Sequence, residues 1–271
     1  MQSVKKSWGK VVIDQDNDGS IRVSLENSKV LCEYSLVDCG SEEGFEGSIR
    51  RFINKTAKED QAQAPGGDID GRIDAAAWRG AIIKAYISDV EDESMTVHLD
   101  FTPIKGSIAR QEVTIYRDRS WIKVHYIDWL VNIVDIAHPG GTDQGQYQFY
   151  GAENWKRPYM FYENIYFCRY ADDIGYMNIT EVDDPEPISY KGWFIMGVFN
   201  PANGRGYGRV APVEAVDIIK LLFEDRNCGF ELFPYYNREH EPFNIYLFVV
   251  TGGAEGVIAT GKRIVDDIHG G

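Results

Sequence analysis

Cysteine is scarce and scattered in this chain of 271 residues. Cys32, Cys39, Cys168 and Cys228 form no C-x-x-C pair, which excludes a disulfide scaffold and gives no support to a zinc ribbon or a thioredoxin-type redox site. A bridge between Cys32 and Cys39 stays open. Positive charge is also short: 28 Lys+Arg face 42 Asp+Glu, a formal net charge of −14. Proteins that bind the nucleic-acid backbone need the opposite surplus, so no nucleic-acid partner is expected. No apolar run approaches the roughly 18 residues of a membrane helix, and the best, Phe243 to Thr251, has the length of a buried strand; no membrane partner is expected. Behind Lys5 and Lys6 no hydrophobic stretch follows. No secretory leader is visible, and the expected location is the cytoplasm, or outside the cell if a leader has been removed.

Several signatures of chemistry are missing too. There is no G-x-G-x-x-G between a strand and a helix, no P-loop Lys-Ser or Lys-Thr, and no G-x-S-x-G elbow. His98, His125, His138, His240 and His269 include no i, i+4 pair of the helical zinc type. Neither a cofactor nor a metal is therefore expected. The segment Asp14-x-Asp16-x-Asp18-Gly19 imitates the start of a calcium loop, but Leu25 stands where the bidentate Glu is required.

What is present is β-sheet pattern. Lys10 to Asp14 and Ser20 to Leu25 alternate with period two around Asp16-Asn17-Asp18-Gly19, which predicts a hairpin. Further strands are predicted at 29–37, 47–54, 80–90, 94–101, 112–117 and 121–134. In the second half they follow at 146–151, 164–170, 192–200, 229–234 and 244–251. Residues 112–134 read as a β-meander. Residues 55–73 are polar and Gly-rich, a surface loop, and the Gly-rich 203–209 reads as a hairpin loop presenting Arg205, Tyr207 and Arg209. Val213 to Phe223 fits helix and strand equally. With 44% hydrophobic residues, no internal repeat and no evident linker, the expectation is one all-β domain over 1–271. Its predicted architecture is a large antiparallel β-sandwich, of super-sandwich or jelly-roll type, with at most one or two short helices.

The densest chemical signal lies between Tyr147 and Tyr170. Tyr147, Phe149, Tyr150, Trp155, Tyr159, Phe161, Tyr162, Tyr166 and Phe167 interleave there with Glu153, Asn154, Lys156, Arg157, Glu163, Asn164 and Arg169. Flat rings beside amides, carboxylates and guanidinium groups suit sugars, whose C–H faces stack while their hydroxyls pair. About half of these rings, one of each alternating pair such as Tyr166 and Phe167, are expected to belong to the core. His125 lies mid-strand, a candidate general base on a concave sheet face, and His138 opens a loop at the end of that meander. Tyr235, Tyr236 and His240 lie in a polar, aromatic connection that offers a second wall.

The aromatic-lined strands, with Ile122-Lys123-Val124-His125-Tyr126-Ile127-Asp128-Trp129 followed by Val131-Asn132, resemble the galactose-mutarotase-like super-sandwich of carbohydrate-active enzymes. The resemblance implies a glycan-processing β-sandwich. Asn132 and His138 are not adjacent as in the mutarotase signature, so it does not carry mutarotation. Gly197-Val198-Phe199-Asn200 is similar to the strand that bears the catalytic tyrosine of jelly-roll alginate lyases; Phe199 stands in that place, so no catalytic residue transfers.

The expected function is therefore a glycoside hydrolase or polysaccharide lyase acting on an oligo- or polysaccharide, with acid/base groups drawn from His125, His138, Tyr150, Glu153 and Glu163. Trp129, Trp155, Tyr159, Trp193, Tyr235 and Tyr236 are the expected sugar platforms, with Arg157, Arg209 and His240 as polar contacts. A noncatalytic carbohydrate-binding sandwich needs only the rings, and an interaction protein would turn the aromatic patch on another protein. Oligomeric state, sugar and linkage are not legible.

Overall fold

The computed structural model describes residues 1–38, 45–60, 72–75, 79–103, 108–130, 143–148, 159–162, 190–200, 204–212, 216–223, 227–234 and 243–270. These form two antiparallel sheets and one helix. The first sheet starts as a meander of β1 (Gln2–Lys5), β2 (Gly9–Gln15), β3 (Ile21–Asn27), β4 (Val30–Asp38) and β5 (Phe45–Asn54), with the short β6 (Glu59–Asp60) on β5. It continues through β7 (Arg72–Ala75) to three later strands. The second starts as another meander, β8 (Arg79–Val90), β9 (Ser94–Pro103), β10 (Ile108–Tyr116) and β11 (Trp121–Leu130). β12 (Asp143–Gln148) joins the first sheet and β13 (Tyr159–Tyr162) the second. They are followed by β14 (Trp193–Asn200) and β15 (Arg205–Pro212) in the second, β16 (Val216–Phe223) and β17 (Asn227–Pro234) in the first, and β18 (Phe243–Val250) in the second. The second sheet runs in the order β13-β14-β15-β18-β11-β10-β9-β8. An antiparallel all-β sandwich is thus what the alternating patterns form.

Alternation decides which side chains meet. Val11, Val23, Leu25, Val30 and Phe52 of the first sheet share one buried cluster with Met95, Val97, Leu99, Val113, Ile115, Ile122, Val124 and Leu247 of the second. Fully burying such a side chain stabilises by about 1.5–3 kcal/mol. Polar ties also cross between the sheets: Gln111 Nε2 donates to the Tyr34 hydroxyl at 3.0 Å, and Asn27 at the end of β3 donates to Tyr116 O and Arg119 O at 2.6 and 2.8 Å. The predicted β2–β3 hairpin forms in register Gln15↔Ile21, and Gly19 takes a φ of 91° that a side chain would strain.

One local expectation changes and one open reading resolves. Residues 205–212 are strand β15 rather than a loop, and Tyr207 and Arg209 are buried there. Their neighbours Gly206 and Gly208 lie on the opposite face, where the missing side chains admit another element. That element is α1 (Gly253–Gly270), which contacts β14, β15 and β18. Val257, Ile264 and Val265 form its apolar stripe over Trp121, Ile195, Val210, Tyr246, Phe248 and Val250. The ambiguous 213–223 resolves as strand over Val216–Phe223, paired with β17.

A candidate functional site on the outer face of the second sheet

On β11, Ile122, Val124 and Tyr126 point into the shared core while Trp121 lies in the cluster under α1. Period two then puts Lys123 and His125 on the outer face. Registers carry this face across five strands. Tyr86 of β8 pairs with His98 of β9, His98 with Glu112 of β10, Glu112 with His125 of β11, and His125 with Asn244 of β18. One straight row of Tyr, His, Glu, His and Asn results, spanning roughly 19 Å at about 4.8 Å per strand. All five side chains are half-buried, and α1 packs on β14, β15 and β18 around Trp121 and Phe248 rather than around the row.

The row is internally connected. The His98 ring stacks on Tyr86 with centroids 4.8 Å apart. Its Nε2 lies 2.8 Å from Asp100 Oδ1 and its Nδ1 3.8 Å from Glu112 Oε1. Asp100 also faces Lys84 at 3.6 Å. On the far side of Glu112, His125 Nδ1 is 2.8 Å from Asn244 Oδ1. An amide oxygen only accepts, so Nδ1 carries the hydrogen and, in the neutral ring, Nε2 keeps the lone pair. That is the arrangement of an imidazole oriented by one nitrogen and ready to take a proton with the other. Among the described residues no cluster of His, Cys, Asp and Glu has metal-binding geometry.

The predicted site residues fall out as follows. His125 stands in the row. Trp193 lies on the same outer face but beside α1, its ring edge-on to Tyr246 at 5.9 Å. Arg209 is 0% exposed and shares the inward parity of Tyr207 and Ala211, which belong to the shared core. The expectation of a hairpin loop presenting Arg209 to a substrate is thus corrected, because the Gly-rich segment is a strand in the sheet and Arg209 is buried in it. Trp129 pairs with Ala109, and Tyr159 with Phe199, through their backbones. His138, Tyr150, Glu153, Trp155, Arg157, Glu163, Tyr235, Tyr236 and His240 lie outside the described residues.

Sequence reasoning missed Tyr86, His98, Asp100, Glu112 and Asn244, which share this face with His125. The outward parity of Thr96, His98 and Asp100 was readable from the alternation of 95–101. Their alignment with Glu112 and His125 depends on the β9–β10 and β10–β11 registers, which no local pattern encodes.

Among the described residues no helix is long and apolar enough to cross a membrane. No family model matches the sequence, and no curated protein matches it either. Among solved structures, the chain is similar to the alpha-N-acetylgalactosaminidase NagBb from Bifidobacterium bifidum. A quadruple mutant of that protein aligns at 10% identity and a TM-score of 0.47, and its Gal-NHAc-DNJ complex at 11% and 0.46. Each alignment covers 100% of this chain and 39% of that chain. This chain thus spans about two fifths of the length of the solved chains it matches. The site assigned above stands on this chain's own residues.

Proposed function

We propose that the protein is a carbohydrate-active β-sandwich that holds a glycan across the outer face of the second sheet and cleaves it by side-chain acid/base chemistry. The observation that carries this is the row Tyr86, His98, Glu112, His125 and Asn244 in one register. It sets a ring, two imidazoles, a carboxylate and an amide side by side on a half-buried surface. Sugars need this mixture, a flat apolar face for C–H groups and paired donors and acceptors for hydroxyls. His125 Nε2 acts as the base. Glu112, backbone partner of both His98 and His125, is placed to exchange a proton with either the substrate or an imidazole. Asp100, bonded to His98 Nε2, is a positioning residue.

The bond chemistry separates by product mass. Incubation with a panel of neutral and uronate-containing glycans yields products one water heavier in sum if the reaction is hydrolysis, and no added water if it is elimination. His125→Gln is expected to lower turnover by roughly 10²–10⁴-fold while glycan binding persists, the usual contribution of a general base. Binding without turnover by the unaltered protein would convert the assignment to a noncatalytic carbohydrate-binding sandwich. Turnover unaffected by both His125→Gln and Glu112→Gln would remove the row from the chemistry altogether.

A further inference from the structure

The turn end of the sandwich holds a second feature, remote in construction from the polar row. The β1–β2 turn, the β3–β4 turn and the β10–β11 turn converge on a cleft of about 590 Å³, lined by Lys5, Lys6, Trp8, Lys10, Lys55 and Arg117 together with Ser7, Ser28, Glu26 and Asp118. In a protein of net charge −14, five cations and two carboxylates line this one opening, and Asp92 and Glu93 at its edge pair with Lys6 and Arg117, which leaves a small local excess of positive charge.

The pairing within the cleft leaves part of that charge uncompensated. A single carboxylate, Glu26, serves two lysines: Lys55 at 2.6 Å and Lys10 at 2.9 Å. Burial pushes the Glu26 carboxyl up, but the hydrogen bonds and charges of Lys55 and Lys10 outweigh it and hold the group below its ordinary range, so it is an anion at neutral pH. Lys6 bonds Glu91 O and stands 3.7 Å from Asp92. Arg117 pairs with Glu93 at 3.1 Å and with Asp118 at 3.6 Å. Lys5 is exposed and has no ion-pair partner among the described residues. Trp8 donates its indole N–H to Asp92 O at 2.9 Å, which fixes the ring in place.

We propose that this cleft is a binding site for a saccharide unit carrying one oxyanion, a sulfate or a carboxylate. Lysines attract an oxyanion as point charges without demanding the planar fork that arginine imposes. The volume lies within the range of small-molecule sites and far exceeds a lone anion, so the anion arrives on a larger body. Glu26 and Asp118 argue against a multiply charged phosphate chain, which they would repel, and favour a ligand rich in hydroxyls, for which carboxylates and Ser7 and Ser28 are acceptors and donors. Trp8 packs against the shared core and also lines the cleft, so it is the ring available there to a sugar. The assignment does not rest on the acid/base row, which uses other residues on another face.

The test is calorimetric titration of the whole protein in low-salt buffer with glucose 6-sulfate and glucuronate, with glucose and sodium sulfate as controls, while Trp8 emission is followed. Saturable binding of at least one charged sugar is expected, weakened by added salt and by roughly two- to fivefold in each of Lys5→Ala and Lys10→Ala, both exposed positions that leave the fold intact. His125→Gln should bind as the unaltered protein does. Glucose binding as well as the charged sugars, or sodium sulfate matching them, would overturn the proposal, the latter by reducing the cleft to a simple anion site. So would charged-sugar affinity that neither lysine substitution changes.

Discussion

Asn27 offers the sharpest test of how the two sheets are held in place. Its side chain is 2% exposed and all its hydrogen-bonding capacity is used. Nδ2 donates to Tyr116 O and Arg119 O in the β10–β11 hairpin, while Oδ1 accepts from Lys29 N at 2.7 Å and Val30 N at 2.8 Å in its own turn. Asn27→Ala strips four backbone groups of their partner. Val30 is fully buried and Tyr116 half-buried; with two of the four groups held away from water, each costing about 1–3 kcal/mol, the expected loss is about 2–6 kcal/mol. Asn27→Asp is the more informative change. It keeps both acceptor contacts but turns the donating amide into an oxygen facing two carbonyl oxygens within 2.8 Å. At neutral pH it should destabilise at least as much as Ala, despite being nearly isosteric. Relative to the unaltered protein it should recover as pH falls, because the protonated carboxyl regains one donor and the folded state favours that form. Urea unfolding at several pH values, with m checked for constancy, reads both effects. An Asp variant within about 0.5 kcal/mol of the parent at neutral pH would refute the reasoning, since that is the size of an ordinary surface change.

Two further outcomes follow from packing and burial. A Cβ at Gly261 would lie 2.2 Å from Ile195 Cγ2, so Gly261→Ala should destabilise α1's seat on β14 by about 1–3 kcal/mol, and adding Ile195→Ala should be less costly than the sum of the two single changes; additive losses in thermal unfolding would show that the helix shifts instead. Burial pushes the Tyr246 phenol up to about 12 from 10.0. The folded protein keeps a proton that the unfolded chain has lost, so this stabilisation is complete below pH 10 and disappears as pH rises towards 12, on the order of 2 kcal/mol. Tyr246→Phe should flatten the alkaline limb of a stability-against-pH curve, and an unchanged slope would refute the assignment.

How much of this the chain displays on its face depends on the range of the interactions involved. The β2–β3 hairpin was legible because alternation and an Asp-Gly turn act within a few residues, and the outward parity of His125 was legible from Ile122, Val124 and Tyr126 around it. Strand β15 was not, since Gly204, Gly206 and Gly208 look like loop residues until α1 is known to lie over that face. Helix α1 is faint in the sequence although Val257, Ile264 and Val265 recur at helical spacing, because Gly253, Gly256 and Gly261 dilute the signal. Of the proposed site, one member was found and four neighbours in the row were not: residues 86, 98, 112, 125 and 244 become neighbours only through pairings between strands.

Those pairings tie the chemistry to the hydrophobic cluster at the other end of the sheet. Strands β11 and β18 run continuously from Trp121↔Phe248 beneath α1 to His125↔Asn244 in the row, roughly 13 Å at about 3.3 Å per residue. The 2.8 Å contact that sets the His125 tautomer requires Asn244 opposite it. A slip by one residue would put Phe243 or Ile245 there and turn the side chains of a whole strand to the wrong face. Trp121 and Phe248 resist that slip because each has its apolar side committed to the α1 cluster, while Val124 and Ile245 are committed to the opposite core. The register is thus held from both faces, and the orientation of His125, four residues along β11 from Trp121, is a consequence of the apolar packing on either side of the sheet.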